Sequence, residues 1–184
     1  VMPDFRALRY ITCPNQVVSD AENHHPGIAN SGPFLAMNPF SSRCCQHNHA
    51  QGWPYFSEHL VLATPDNGLA VAMYAACRAT MKVGDGTKIS LREETRYPFE
   101  ETVTFTLSTE KNVSFPFYCC IPSWAKDAEV RVNGKKVGIK PVAGKYLCVE
   151  REWSEGDRIE LHFPMELSTR VWQVNKHSVT VDYG

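Results

Sequence analysis

From Gly68 onward, short runs of alternating apolar and polar residues are separated every ten residues or so by Gly, Asp, Asn or Pro. This period of two constrains the fold more than any other feature, because successive side chains on a strand point to opposite faces and each run then has one face to bury. Ile89 and Leu91 alternate with Lys88, Ser90 and Arg92, and Val103, Phe105 and Leu107 alternate with Thr102, Thr104, Thr106 and Ser108. Val130 and Val132 lead into Asn133-Gly134, the dipeptide that best accepts positive φ at both centres of a two-residue turn, and the chain returns through Val137. Leu147 and Val149 follow, then Ile159, Leu161 and Phe163 across the Ser154-Glu155-Gly156-Asp157 turn, then Val179 and Val181. About nine strands result, and their spacing predicts a mainly β protein built as an antiparallel β-sandwich. Val83-Gly84-Asp85-Gly86 reads as a hairpin turn and not a nucleotide loop, since no helical pattern follows it.

Up to about Pro65 the grammar differs. Pro, Asn, His, Gly and Ser dominate without a sustained period, and Asn15 to Asn38 is far longer than an ordinary connection. One helix is expected in this irregular part. Trp53, Phe56, Leu60 and Val61 fall on one face, Pro54 fits a first turn, and Thr64-Pro65-Asp66 would end it, giving a helix from Trp53 to Leu62.

The apolar fraction of 43% suffices for a core, and 19 basic against 20 acidic residues leave a net charge of −1. Nothing in that balance points to nucleic acid, and no apolar run approaches the roughly 20 residues of a membrane span. Seven cysteines, at 13, 44, 45, 77, 119, 120 and 148, show no disulfide-scaffold spacing. Cys77, Cys119, Cys120 and Cys148 are expected to be reduced residues packed in or beside strands. A chain opening on Val1 is expected to be a portion of something longer.

Chemistry is concentrated in Arg43-Cys44-Cys45-Gln46-His47-Asn48-His49. Adjacent cysteines bridge each other only with strain, so a shared metal ligand, or a nucleophile beside a ligand, is the reading to weigh. A closed zinc site needs two donors beyond this pair, with His47, His49, His24 and His25 as candidates, although a Cys-x-x-Cys spacing is absent. His24-His25 otherwise reads as a solvated loop, and His59 and His162 as structural. Glu93-Glu94 and Glu100-Glu101 around Tyr97-Pro98 read as solvated charge pairs, and Trp53, Trp124, Trp153 and Trp172 as edge-of-core residues. The residues alone therefore imply a sandwich with a possible thiol or metal site.

Cys44-Cys45-Gln46-His47-Asn48, Tyr97-Pro98, Ile121-Pro122-Ser123-Trp124-Ala125, Val132-Asn133-Gly134, Gly144-Lys145-Tyr146, Trp153-Ser154-Glu155-Gly156-Asp157 and Phe163-Pro164-Met165 occur in this order. The combination resembles the β-L-arabinofuranosidase family, glycoside hydrolase family 127, with relatives formerly grouped as a domain of unknown function. The resemblance implies that residues 1–66 are the tail of a catalytic (α/α)6 barrel and residues 67–184 a β-sandwich domain, truncated at its end. It implies a retaining hydrolase in which Cys44 is nucleophile and zinc ligand and Cys45 a second zinc ligand, with Asn48 matching a motif position of no assigned role. The substrate implied is a plant glycan or arabinofuranoside oligosaccharide, and the necessary partner is the rest of the parent chain, in the bacterial cytoplasm or in the periplasm or outside.

The departures from the family pattern carry equal weight. The family's remaining zinc ligands, a glutamate and a cysteine, and its acid/base glutamate lie upstream, and Cys13 is too close to Cys44 and lacks the Glu-x-Cys context to replace them. Gln46-His47 and Gln51-Gly52-Trp53-Pro54 suggest a divergent branch, and Cys119-Cys120 stands where relatives often have an aliphatic residue and arginine. The chain alone is expected to be inactive. A non-catalytic sandwich that supports the barrel or binds carbohydrate, and a small structural zinc module, are the alternatives.

Overall fold

Period-two runs pair wherever turn chemistry lets the chain reverse, and the structure, a computed structural model, shows this over the residues it describes: 8–9, 35–36, 44–173 and 177–184. The chain divides into two units, Val1–Glu58 and His59–Gly184. In the first, β1 (Leu8–Arg9) pairs with β2 (Leu35–Ala36), and a 15-residue helix, α1, spans Cys44–Glu58. In the second, β3 (Val61–Ala63), β4 (Leu69–Val71), β8 (Val113–Cys120) and β11 (Tyr146–Trp153) form one sheet, in the order β11-β8-β4-β3. The facing sheet runs β10 (Lys135–Lys136), β9 (Glu129–Val132), β12 (Arg158–His162), β7 (Thr102–Thr109), β6 (Thr87–Thr95), β5 (Cys77–Val83). Among the described residues all pairings are antiparallel except β4 with β8. The sandwich expected from the sequence is therefore present, with six and four strands in its two sheets.

The turns behave as their residues require. Asn133 and Gly134 take φ of 50° and 77°, and Gly84 and Gly86 take 56° and 92° in the β5–β6 hairpin. Asp157 ties two turns together. Its carboxylate accepts from the Ser154 amide at 2.9 Å and the Asn133 side-chain amide at 2.7 Å, while the Asn133 carbonyl oxygen of the side chain accepts from the Arg158 amide at 2.8 Å. The inner faces meet in an apolar core, where Phe105 of β7 lies 5.6 Å from Phe117 of β8 across the sheets.

Two expectations are corrected. The helix begins at Cys44 and ends at Glu58, placing Pro54 inside it, with Ser57 Oγ donating to the Trp53 carbonyl at 3.0 Å. Leu60 and Val61 leave it because sheet pairing claims their backbone: the Leu60 carbonyl accepts from the Ala72 amide at 2.9 Å, and Val61 pairs with Val71. Thr64-Pro65-Asp66 is consequently the turn between β3 and β4 and not a helix end. Second, Val179 and Val181 form a strand without a buried face. β14 (Ser178–Tyr183) pairs only with β13 (Leu167–Trp172) among the described residues, and both valines are exposed.

Gly68 shows how closely β4 approaches β8. A Cβ there would lie 2.3 Å from the Pro116 carbonyl oxygen and 2.6 Å from its Cγ, and the oxygen is backbone that cannot swing aside. Gly68→Ala is expected to cost about 1–3 kcal/mol through forced separation of the strands. Urea denaturation checks this, and an unchanged midpoint would contradict the close approach.

Candidate active site

The Cys44-Cys45 pair opens α1, so both residues occupy the first turn of a helix. The first-turn amides of a helix lack intrahelical acceptors, and their partial positive charge favours a thiolate over a thiol. No acidic residue stands in that turn to oppose it. The side chains of Cys44 and Cys45 lie outside the described residues, as do Cys13, His24, His25, His47 and His49. Asn48 is exposed on the helix. His59 lies just past the helix and not within it.

The remaining thiols differ in chemistry from an activated one. Cys77, Cys119, Cys120 and Cys148 are all unbridged. Burial pushes Cys119 up to about 12, and burial together with the Glu93 carboxylate pushes Cys77 up to about 11. Burial also raises Cys120 and Cys148. Each stays protonated near neutral pH and is a poor nucleophile or metal ligand. This bears out the expectation of reduced cysteines packed in the strands. Among the described residues no group of three or more His, Cys, Asp or Glu is placed to hold a metal ion.

The acidic pairs divide. Glu94 is a surface residue ion-paired with Arg92 at 2.7 Å, and Glu100 pairs with Arg96 at 3.0 Å, as solvated charges do. Glu93 departs from that expectation: it is 2% exposed, on the core-facing side of β6. Its carboxylate accepts from the Ala75 amide at 3.0 Å and the Cys77 thiol at 3.6 Å, and burial pushes it up to about 7. Parity could have found it, since Ile89, Leu91 and Glu93 share one face of the alternation. Glu101 is half-buried and accepts from the Met165 amide at 2.8 Å. These groups tie segments of the sandwich together.

The tryptophans also separate. Trp153 is fully buried in the core, Trp124 is half-buried, and Trp53 and Trp172 are exposed. His162 lies 3.7 Å from Glu101 on the half-exposed edge of β12. Among the described residues no helix is long and apolar enough to cross a membrane.

Comparison with known proteins agrees with this architecture. Residues 68–165, which contain β4 to β12, match the family described as β-L-arabinofuranosidase, GH127 middle domain. No curated protein matches. Among solved structures, Ara127N-Se, a GH127 β-L-arabinofuranosidase from Geobacillus stearothermophilus T6, is 31% identical with a TM-score of 0.70 over 77% of this chain and 23% of that one. A structure described as a glycoside hydrolase is 25% identical with a TM-score of 0.75, over 89% of this chain and 28% of that chain. A GH127 β-arabinofuranosidase is 25% identical with a TM-score of 0.65, over 77% and 25%. The chain thus spans about a quarter of the length of the structures it matches. With more than half its residues matched by the family's middle domain, this chain belongs to the GH127 β-L-arabinofuranosidase family.

Proposed function

We propose that the chain is part of a retaining glycoside hydrolase acting on arabinofuranosides or related plant glycans, with Cys44 as nucleophile and Cys44 and Cys45 as zinc ligands. Membership of the family carries this reading, and the placement of the pair in the first turn of α1 supports it. In the first half-reaction the Cys44 thiolate attacks the anomeric carbon, the bond to the aglycone oxygen breaks, and an acid outside this chain protonates the departing oxygen. Water, deprotonated by the same group, then displaces the thiolate and releases the sugar with its original configuration. Zinc, when bound, keeps the thiolate ionised at neutral pH. A helix start favours negative charge in the same direction.

The chain alone is inactive in this reading, because the acid/base and the other ligands are supplied by the rest of the polypeptide. In the full-length protein, Cys44→Ser is expected to lower arabinofuranoside hydrolysis by about a thousandfold or more, as loss of a covalent nucleophile does. Cys45→Ala should reduce bound zinc measured by metal analysis. Wild-type turnover in Cys44→Ser would remove the cysteine mechanism. A second reading, a non-catalytic sandwich that supports a catalytic unit, is favoured by the span of the family match, which covers the sandwich and not the cysteine pair.

A further inference from the structure

On the outer face of the six-stranded sheet a row of hydroxyls runs between two rows of cations. The side chains of β5 and β6 that face away from the core include Arg78, Thr80 and Lys82 on one strand and Lys88, Ser90 and Arg92 on the other. Their register sets Arg78 opposite Arg92, Thr80 opposite Ser90 and Lys82 opposite Lys88, and β7 extends the middle row with Ser108. Like charges directly opposite on one face of a sheet are destabilising, and here two such pairs flank the same hydroxyls. Glu94 takes up Arg92 at 2.7 Å, whereas Arg78, Lys82 and Lys88 have no ion-pair partner among the described residues.

Rows on one face lie about 7 Å apart along a strand and neighbouring strands about 5 Å apart, so the three hydroxyls span about 10 Å with cations within side-chain reach on either side. A cleft of about 430 Å³ lies along this row, with Thr80, Lys88, Ser90, Ser108, Glu110 and Glu155 in its lining. Its two carboxylates stand on the β7 side, since Glu110 follows that strand and Glu155 accepts from the Thr109 amide. The cations therefore gather over β5 and β6, and the acceptors beside β7. A carboxylate complements the first group, and sugar hydroxyls, which donate and accept, complement the serine and threonine hydroxyls and the glutamates. A uronic acid residue carries both on one ring. A neutral sugar would leave the opposed cations uncompensated, and a simple oxyanion would leave the β7 side unused.

We propose that the outer face of β5, β6 and β7, along Thr80, Ser90 and Ser108, is a docking site for an acidic glycan, with uronate carboxylates held by Arg78, Lys82 and Lys88. It rests on the reading that the parent protein handles glycans, and it holds a chain without taking part in bond cleavage. The test uses the full-length protein. Oligogalacturonides are titrated into it by calorimetry at low and high salt, with neutral arabino-oligosaccharides and a polyglutamate peptide as the comparison ligands.

Oligogalacturonides should bind saturably and more weakly as salt is raised. Lys82→Glu and Arg78→Gln, both at exposed positions, should each weaken that binding about tenfold or more, and neither should alter the response to the neutral oligosaccharides. Lys82→Glu sets opposite charges across from each other at Lys88, so its urea midpoint should hold or rise while binding falls, a combination that damage to the fold would not produce. Should that midpoint drop, Arg78→Gln decides alone. The proposal is overturned if oligogalacturonides do not bind at millimolar concentration, if a variant that keeps its fold binds them as wild type, or if polyglutamate binds equally well. Arabinofuranoside hydrolysis without oligogalacturonide binding would sink the docking site and leave the catalytic reading; binding without hydrolysis would do the reverse.

Discussion

Trp153→Ala is expected to cost about 3–5 kcal/mol of folding stability, the largest loss from any single side chain in the sandwich. Trp153 ends β11 with no exposed surface, its ring centroid 5.8 Å from those of both Phe115 and Phe117. Its indole N–H donates to the Phe115 carbonyl at 2.9 Å. Truncation would open a void that the paired strands around it cannot collapse into, and it would leave a buried carbonyl without its side-chain donor. Equilibrium denaturation measures the loss. Trp153→Phe, which keeps much of the volume and loses the donor, should cost clearly less. Equal losses from the two variants would show that the hydrogen bond and not the packing dominates.

Glu93→Gln should change how stability depends on pH. In the folded protein the Glu93 carboxyl is pushed up to about 7 from its ordinary 4.5 because burial penalises its charged form. Between these values the folded state binds more protons than the unfolded state, so stability falls as pH rises from about 4.5 to about 7. The gap corresponds to about 3 kcal/mol, present as stability at low pH and lost above pH 7. The amide that Glu93→Gln introduces carries no charge at any of these pH values and keeps a carbonyl oxygen for the Ala75 amide and the Cys77 thiol. Urea midpoints measured from pH 5 to pH 8 should therefore decline for the wild type and stay nearly level for the variant. At pH 8 the variant should be the more stable of the two. Parallel declines would place the titrating group elsewhere.

Burial at Glu93 was legible in part. The parity of Ile89, Leu91 and Glu93 assigns it to the core face, whereas its neighbour Glu94 and the turn-rich stretch that follows suggest a solvated pair. The competing signal failed because solvation is set by what covers a strand. Residues 72–76 cross from β4 to β5 and bring the Ala75 amide and the Cys77 thiol onto the carboxylate, and no local pattern announces that crossing. The helix shows the same limit from the other side. Leu60 and Val61 continue a helical stripe from Trp53 and Phe56, but their backbone is claimed by Ala72 and Val71, partners about ten residues away.

By itself the sequence determined the alternating strands β6, β7, β9, β11 and β12, the Asn133-Gly134 hairpin and the family, because alternation, turn chemistry and motif order are local properties carried by neighbouring residues. It also made Cys44 and Cys45 the candidates proposed for thiol chemistry. Only the tertiary structure decided that β4 runs parallel to β8 against the Gly68–Pro116 contact and that Glu93 is a core carboxyl. Each of these depends on residues distant in sequence coming close in space. Burial and dielectric are properties of that meeting and not of the residues that meet.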